Sequence, residues 1–353
     1  MEYIDIAVNA FADEVSDILC DFRNYEVEAV FYLTEHCNLA CPGCYMQASP
    51  NKSKDVLPTM DIEFYLYELK KLPNFVNTVV FSGGEIFTTP LEYIKRNAQQ
   101  VLDNGCALQL KTNGSWANNP AQRNQVLSML RQLRPWYGRM QYEYSINDVF
   151  NNVPNWLNKA LGRLYWNRLV RVPALDMAIS VDNILHPEKS ADWFCDIVNA
   201  VTEDKELARK INLKSFSFFQ AGSHFRDKVI NNEKLKMTHF SVHSRIPVCK
   251  YRVNGHRVES YLGNYVNVAN IDMYEKLSNI VLCPIGNVTG RLVYCFYPDE
   301  TVGLDCLHLE SVGRVPYIDE NGEYKSISRI TKDIHDKLVA DYRAELLKRT
   351  KVK

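Results

Sequence analysis

Five short runs of β-branched and aromatic residues, separated by helical patterns, constrain this chain most. They are Glu28–Thr34 (EAVFYLT), Asn77–Ser82 (NTVVFS), Ala107–Thr112 (ALQLKT), Met177–Val181 (MAISV) and Leu213–Phe219 (LKSFSFF). Each has the length and composition of a strand. Between them, Met60–Leu72 and Leu91–Asn104 space their apolar residues as helices do. Strand–helix alternation predicts parallel βαβ units, whose chemistry gathers on loops at the strand C-terminal ends. At 353 residues the chain suits one large α/β domain with additions, or two domains.

Two stretches interrupt the rhythm. Residues 115–176 hold four of the five tryptophans (Trp116, Trp136, Trp156 and Trp166), and Leu157, Leu161, Leu164 and Tyr165 share one face of a predicted helix. From Pro247 to about Ile327 the text is rich in strands and turns, and an amphipathic helix follows over Ser328–Arg349. The expected organisation is an N-terminal extension (1–27), a core (28–246) carrying an insertion (115–176), a cysteine-containing region (247–327) and a terminal helix (328–353).

Net charge is −1, which disfavours nucleic acid or an anionic membrane as partner. No apolar run approaches the roughly 20 residues of a membrane helix, and the opening residues lack the pattern of a secretory signal. The expectation is a cytoplasmic protein, and in a reducing compartment its ten cysteines read as metal ligands before disulfides.

Cys37-Asn-Leu-Ala-Cys41-Pro-Gly-Cys44 follows the first strand directly. So short a loop can bring three thiolates onto one compact group, with Pro42 and Gly43 permitting the turn. Electron-transfer clusters take four cysteines, and structural zinc also closes with four ligands. Three cysteines leave one iron of a [4Fe-4S] cluster open; zinc completed by His36 or a distant residue is the competing reading.

This CxxxCxxC segment resembles that of the radical S-adenosylmethionine (SAM) superfamily, and the resemblance extends over residues 28–220. It implies a partial (β/α)6 barrel of parallel strands with a small β-rich C-terminal extension. It implies a [4Fe-4S] cluster on Cys37, Cys41 and Cys44, and SAM bound at its open iron. Reductive cleavage of SAM would give a 5′-deoxyadenosyl radical that abstracts hydrogen from a peptide or small-molecule substrate, as in natural-product maturation. Flavodoxin or ferredoxin is the implied kind of electron donor.

Ser82-Gly83-Gly84-Glu85 is similar to the family's GGE motif, which binds SAM's amino group: glycines admit close approach, and a carboxylate complements an ammonium. The resemblance also implies SAM contacts at Asn113, Ser180 and Asp182, and Tyr45 can supply the ring that Gly43 lacks. Thr112-Asn113-Gly114 reads equally as a plain turn. No arginine follows Asp182 to pair with SAM's carboxylate, and Lys189 is a poor substitute.

Cys283, Gly290 and Cys295 resemble part of the auxiliary-cluster segment of SPASM or twitch domains, with Cys249 and Cys306 completing a four-cysteine set. The alternative is a group of separate buried thiols, the reading also given to Cys20, Cys106 and Cys195. His239 and His243 read as surface or core histidines. Arg163, Arg168 and Arg171 suit either an anionic ligand or a solvated face. The short N-terminal region leaves little room for a leader-peptide-binding domain. Nucleoside or RNA modification, or a regulatory Fe–S protein without turnover, are the alternative functions. The intact GGE weighs against the last, since a chain without SAM has no evident use for it.

Overall fold

The computed structural model describes residues 2–20, 26–41, 44, 46–139, 171–181, 190–217, 237–243, 248–253, 256–262, 291–305 and 312–351. The chain runs α1 (Glu2–Cys20), β1 (Glu26–Thr34), α2 (Thr59–Lys70), β2 (Phe75–Gly83), α3 (Leu91–Asp103) and β3 (Ala107–Thr112). It continues through α4 (Pro120–Gln132), β4 (Tyr137–Arg139), β5 (Arg171–Pro173), β6 (Leu175–Ser180), α5 (Ser190–Glu203), α6 (Leu207–Lys210) and β7 (Asn212–Ser217). It ends with β8 (Met237–His243), β9 (Val248–Val253), β10 (His256–Leu262), β11 (Arg291–Phe296), β12 (Thr301–Asp305), β13 (Val312–Pro316) and α7 (Ile327–Lys351). All five expected strands are present. Two compact units emerge, residues 1–89 with 266–353 and residues 90–265.

In the first unit β1 lies between β2 and β11, parallel to both, while β12 and β13 extend the sheet antiparallel. Ala29 to Thr34 are all buried, as expected for a strand covered on both faces. Phe31 stacks on Phe296 across the β1–β11 pair with centroids 5.1 Å apart, and Tyr65 of α2 stacks on Phe296 at 4.5 Å.

The expected N-terminal extension contains a helix. Val8, Phe11, Val15 and Leu19 form its buried stripe. Phe11 stacks on Tyr342 of α7 at 4.0 Å, and Asp5 pairs with Arg343.

In the second unit β3, β6, β7 and β10 are parallel in chain order, and β9 and β8 follow antiparallel. The mixed α/β class with mostly parallel strands therefore holds in each unit. The segment expected as an insertion opens with an ordinary crossover helix, α4, capped by Asn119 and burying Val126, Leu127, Met129 and Leu130. Trp156, Trp166 and the helical face at 157–165 lie outside the described residues. Among the described residues no helix is long and apolar enough to cross a membrane.

A buried carboxylate fixes α2 in the first unit. Asp61, 2% exposed in the first turn of α2, accepts hydrogen bonds from Tyr317 (2.5 Å) and Tyr324 (2.6 Å). Tyr65 in turn donates to the Tyr317 carbonyl at 2.8 Å, and Phe64 stacks on Tyr324 at 4.7 Å. Burial and then the Asp61 hydrogen bond push the Tyr324 phenol up to about 12.

Asp61→Ala leaves two phenols without their acceptor and should cost about 3 kcal/mol, read as a lower urea midpoint. Because the folded-state pKa of Tyr324 is raised, its contribution is full below the ordinary tyrosine value and is lost as pH climbs toward about 12. A midpoint flat from neutral pH to pH 12 would contradict this linkage.

Candidate cofactor site at the strand ends

The first unit brings two sequence motifs together at the C-terminal ends of β1 and β2, where Thr34 pairs with Gly83. Beyond β1 the chain turns through Glu35 and His36 into Cys37, the His36 N–H donating to Thr34 Oγ1 at 3.1 Å. Beyond β2 the Gly84 N–H donates to the Thr34 carbonyl at 2.7 Å, and the Glu85 N–H to the His36 carbonyl at 2.9 Å. The GGE segment is thereby stitched to the base of the cysteine loop.

Both glycines are required by this contact. Gly83 has φ +134°, and a Cβ there would stand 2.3 Å from the Thr34 oxygen. A Cβ on Gly84 would stand 2.0 Å from the His36 oxygen. Neither obstacle is a side chain that could rotate away.

The loop returns along its own start. Cys37 N–H donates to the Ser49 carbonyl (3.2 Å) and Leu57 N–H to the Leu33 carbonyl (2.9 Å). Inside the loop, Cys44 N–H donates to the Cys41 carbonyl at 3.2 Å, and Gln47 N–H to the Cys44 carbonyl at 2.9 Å. Cys37 is buried with Val30, Tyr32, Met46, Ala48, Val80, Cys295 and Tyr297, while Cys41 and Cys44 are half-buried.

Burial pushes the Cys37 thiol up to about 12. The Leu39 N–H, 3.4 Å from its sulfur, works against this, whereas the nearby Glu85 carboxylate and the Cys41 and Cys44 side chains add to it. Cys37 is therefore a protonated thiol at neutral pH, and a metal must displace that proton. Among the described residues no three His, Cys, Asp or Glu side chains are gathered closely enough to hold a metal ion. The donor set nonetheless fits an iron–sulfur cluster with one open iron: three thiols on one anchored loop, with Cys41 and Cys44 within electrostatic reach of Cys37. The His36 Nδ1, invoked for zinc, lies 3.4 Å from the Lys52 carbonyl.

In the second unit Thr112 of β3 pairs with Ile179 of β6, so the turn at Asn113 and the end of β6 at Ser180 lie at one sheet edge. Asn113 and Ser180 are both buried. Asn113 Oδ1 accepts from the Ser115 N–H at 2.9 Å, and Gly114 has φ +76°. Thr112 Oγ1 accepts from the Gly114 N–H (3.0 Å) and from the Trp116 indole N–H (3.1 Å). The turn reading of Thr112-Asn113-Gly114 is thus realised in full, and Thr112 is a contributor that sequence reasoning passed over.

Tyr45, Asp182, Lys189, Cys283, Cys306, Arg163 and Arg168 lie outside the described residues. Cys295, wholly buried on β11 beside Val30, has its sulfur 4.0 Å from the Tyr32 hydroxyl. Cys249 lies on β9 opposite Ser260, and Arg171 on β5. Cys106 and Cys195 are buried thiols, as expected. His239 and His243 lie on strand β8 rather than on one helical turn, about 13 Å apart along the strand.

No family model matches the chain. Over 106 residues it is 34% identical to the antilisterial bacteriocin subtilosin biosynthesis protein AlbA of Bacillus subtilis (strain 168). The match covers 30% of this chain and 21% of AlbA, so it spans about a fifth of that protein.

Two solved structures were also matched. Streptococcus suis SuiB bound to SAM is 14% identical, with 89% of this chain and 65% of SuiB covered at a TM-score of 0.39. The protein anSMEcpe, with bound SAM and the Kp18Cys peptide, is 14% identical, with 58% and 47% covered at a TM-score of 0.32.

Gly84→Ala should displace the cysteine loop and reduce iron retained after anaerobic reconstitution to less than half of about four per chain, read by colorimetric iron assay. Wild-type iron content in Gly84→Ala would show that the two loops do not depend on one another.

Proposed function

We propose that this chain is a cytoplasmic radical SAM enzyme that acts by hydrogen abstraction on a peptide during natural-product maturation. Cys37, Cys41 and Cys44 would hold a [4Fe-4S] cluster, and Gly83, Gly84 and Glu85 would present SAM to it. Asn113, Ser180, Asp182 and Tyr45 are the further SAM contacts that the resemblance implies. The pair of hydrogen bonds from Gly84 and Glu85 to Thr34 and His36 carries this reading. It couples a thiol-bearing loop to a glycine-rich turn whose sequence is that of a SAM-binding element.

A cluster held by Cys37, Cys41 and Cys44 would supply the electron for reductive cleavage of SAM. The protein's own part is to hold, orient and shield. Leu39 N–H donates to the Cys37 sulfur and would stabilise it as a thiolate ligand. Val30, Tyr32, Met46 and Val80 wall that sulfur from water on its inner side. The peptide reading rests on the kinship with AlbA, whose role is in bacteriocin biosynthesis.

After anaerobic reconstitution with iron and sulfide, dithionite and SAM should yield 5′-deoxyadenosine by mass spectrometry. Cys41→Ala should yield none. A full cluster without product in the wild-type protein would overturn the enzymatic reading. The triad alone accounts for about four irons per chain, whereas about eight would bring the set Cys249, Cys283, Cys295 and Cys306 into use.

A further inference from the structure

We infer that Trp193 is a ligand-contacting residue, its indole N–H donating to the carboxylate of SAM at the C-terminal edge of β3 and β6. The inference rests on SAM binding as proposed above. Trp193 is 7% exposed, and its buried Nε1 has no hydrogen-bond partner among the described residues. A buried donor without an acceptor is costly, which is why nearly all of them find one. Two other tryptophans of the second unit obey the rule. Trp116 donates to Thr112 Oγ1 at 3.1 Å, and Trp136 to the Cys106 carbonyl at 3.0 Å.

The fold directs the Trp193 side chain to the edge that carries the other expected contacts. As the crossover between parallel strands β6 and β7, α5 starts at the C-terminal end of β6, and Trp193 stands in its first turn. Helical side chains lean toward the helix N-terminus, so the indole leans toward that strand end. The Trp193 Cβ lies 3.9 Å from where a Cβ on Gly114 would stand, in a space shared with Ile179 and Ile197. Asn113 precedes Gly114 in the chain and Ser180 follows Ile179, and both are buried. An amide, a hydroxyl and an indole N–H thus converge on one sheet edge.

The partner of an N–H must be an acceptor. The carboxylate is the strongest acceptor that SAM carries, and hydrogen bonds to charged groups are worth more than neutral ones. The start of a 14-residue helix also favours negative charge. Asp192, the acidic residue of the same turn, is exposed to solvent.

Trp193→Phe removes the N–H and keeps an aromatic ring. On reconstituted protein, equilibrium dialysis should find SAM bound at least about tenfold more weakly by this variant. Decarboxylated SAM, which lacks only the carboxylate, should bind the variant and the wild type within about twofold of each other, showing that the site is still folded. Incorporating 3-benzothienylalanine at position 193 keeps the bicyclic shape without the N–H and should reproduce the loss; where the two variants differ, this one decides. SAM affinity within about twofold of wild type in the benzothienyl protein would overturn the inference and leave Trp193 to packing alone. An equal loss for SAM and decarboxylated SAM would overturn it too, by moving the contact off the carboxylate. Failure of the wild-type protein to bind SAM at full iron content would instead sink the functional reading, and this inference with it.

Discussion

Two backbone hydrogen bonds, from Gly84 to Thr34 and from Glu85 to His36, join the elements on which any chemistry here must rest. Parallel pairing of β1 and β2 brings the two strand ends level, but level ends alone would leave two independent loops. The bonds turn them into one piece, and each is possible only because no Cβ stands between the chains. The cost of the arrangement is local: a φ of +134° at Gly83 and a backbone approach that admits no side chain.

Around that junction the first unit is built to resist movement. The return leg of the cysteine loop is tied at Ser49 and Leu57, and it then enters α2, whose first turn carries Asp61. A buried carboxylate with two phenol donors is specific in a way that apolar packing is not, since any slip of α2 strands a charge. Tyr317 and Tyr324 reach Asp61 from the turn that follows β13, so segments more than 250 residues apart in sequence hold the same helix.

Much of this was readable beforehand. Strand runs, α3 and α7 announced themselves by periodicity, and the cysteine spacing together with Gly-Gly-Glu carried the resemblance to the superfamily. The stripe Val8, Phe11, Val15 and Leu19 was equally visible as a pattern, but with no partner in view it passed as an extension. Other features could not be read, because they are pairings at a distance. Nothing in the sequence near Asp61 points to two tyrosines beyond β13. A glycine pair signals close approach without naming what approaches, and here the neighbour is the protein's own His36 carbonyl. Both glycines are demanded by the fold itself, whatever else they admit.

This separation has an evolutionary corollary. If the three cysteines hold the proposed cluster, a descendant that lost it would be free to exchange them, yet would still be held to glycine at 83 and 84 by its own architecture. Across divergent relatives, the paired glycines would thus track ancestry of the scaffold, while the thiols track whether its chemistry has been kept.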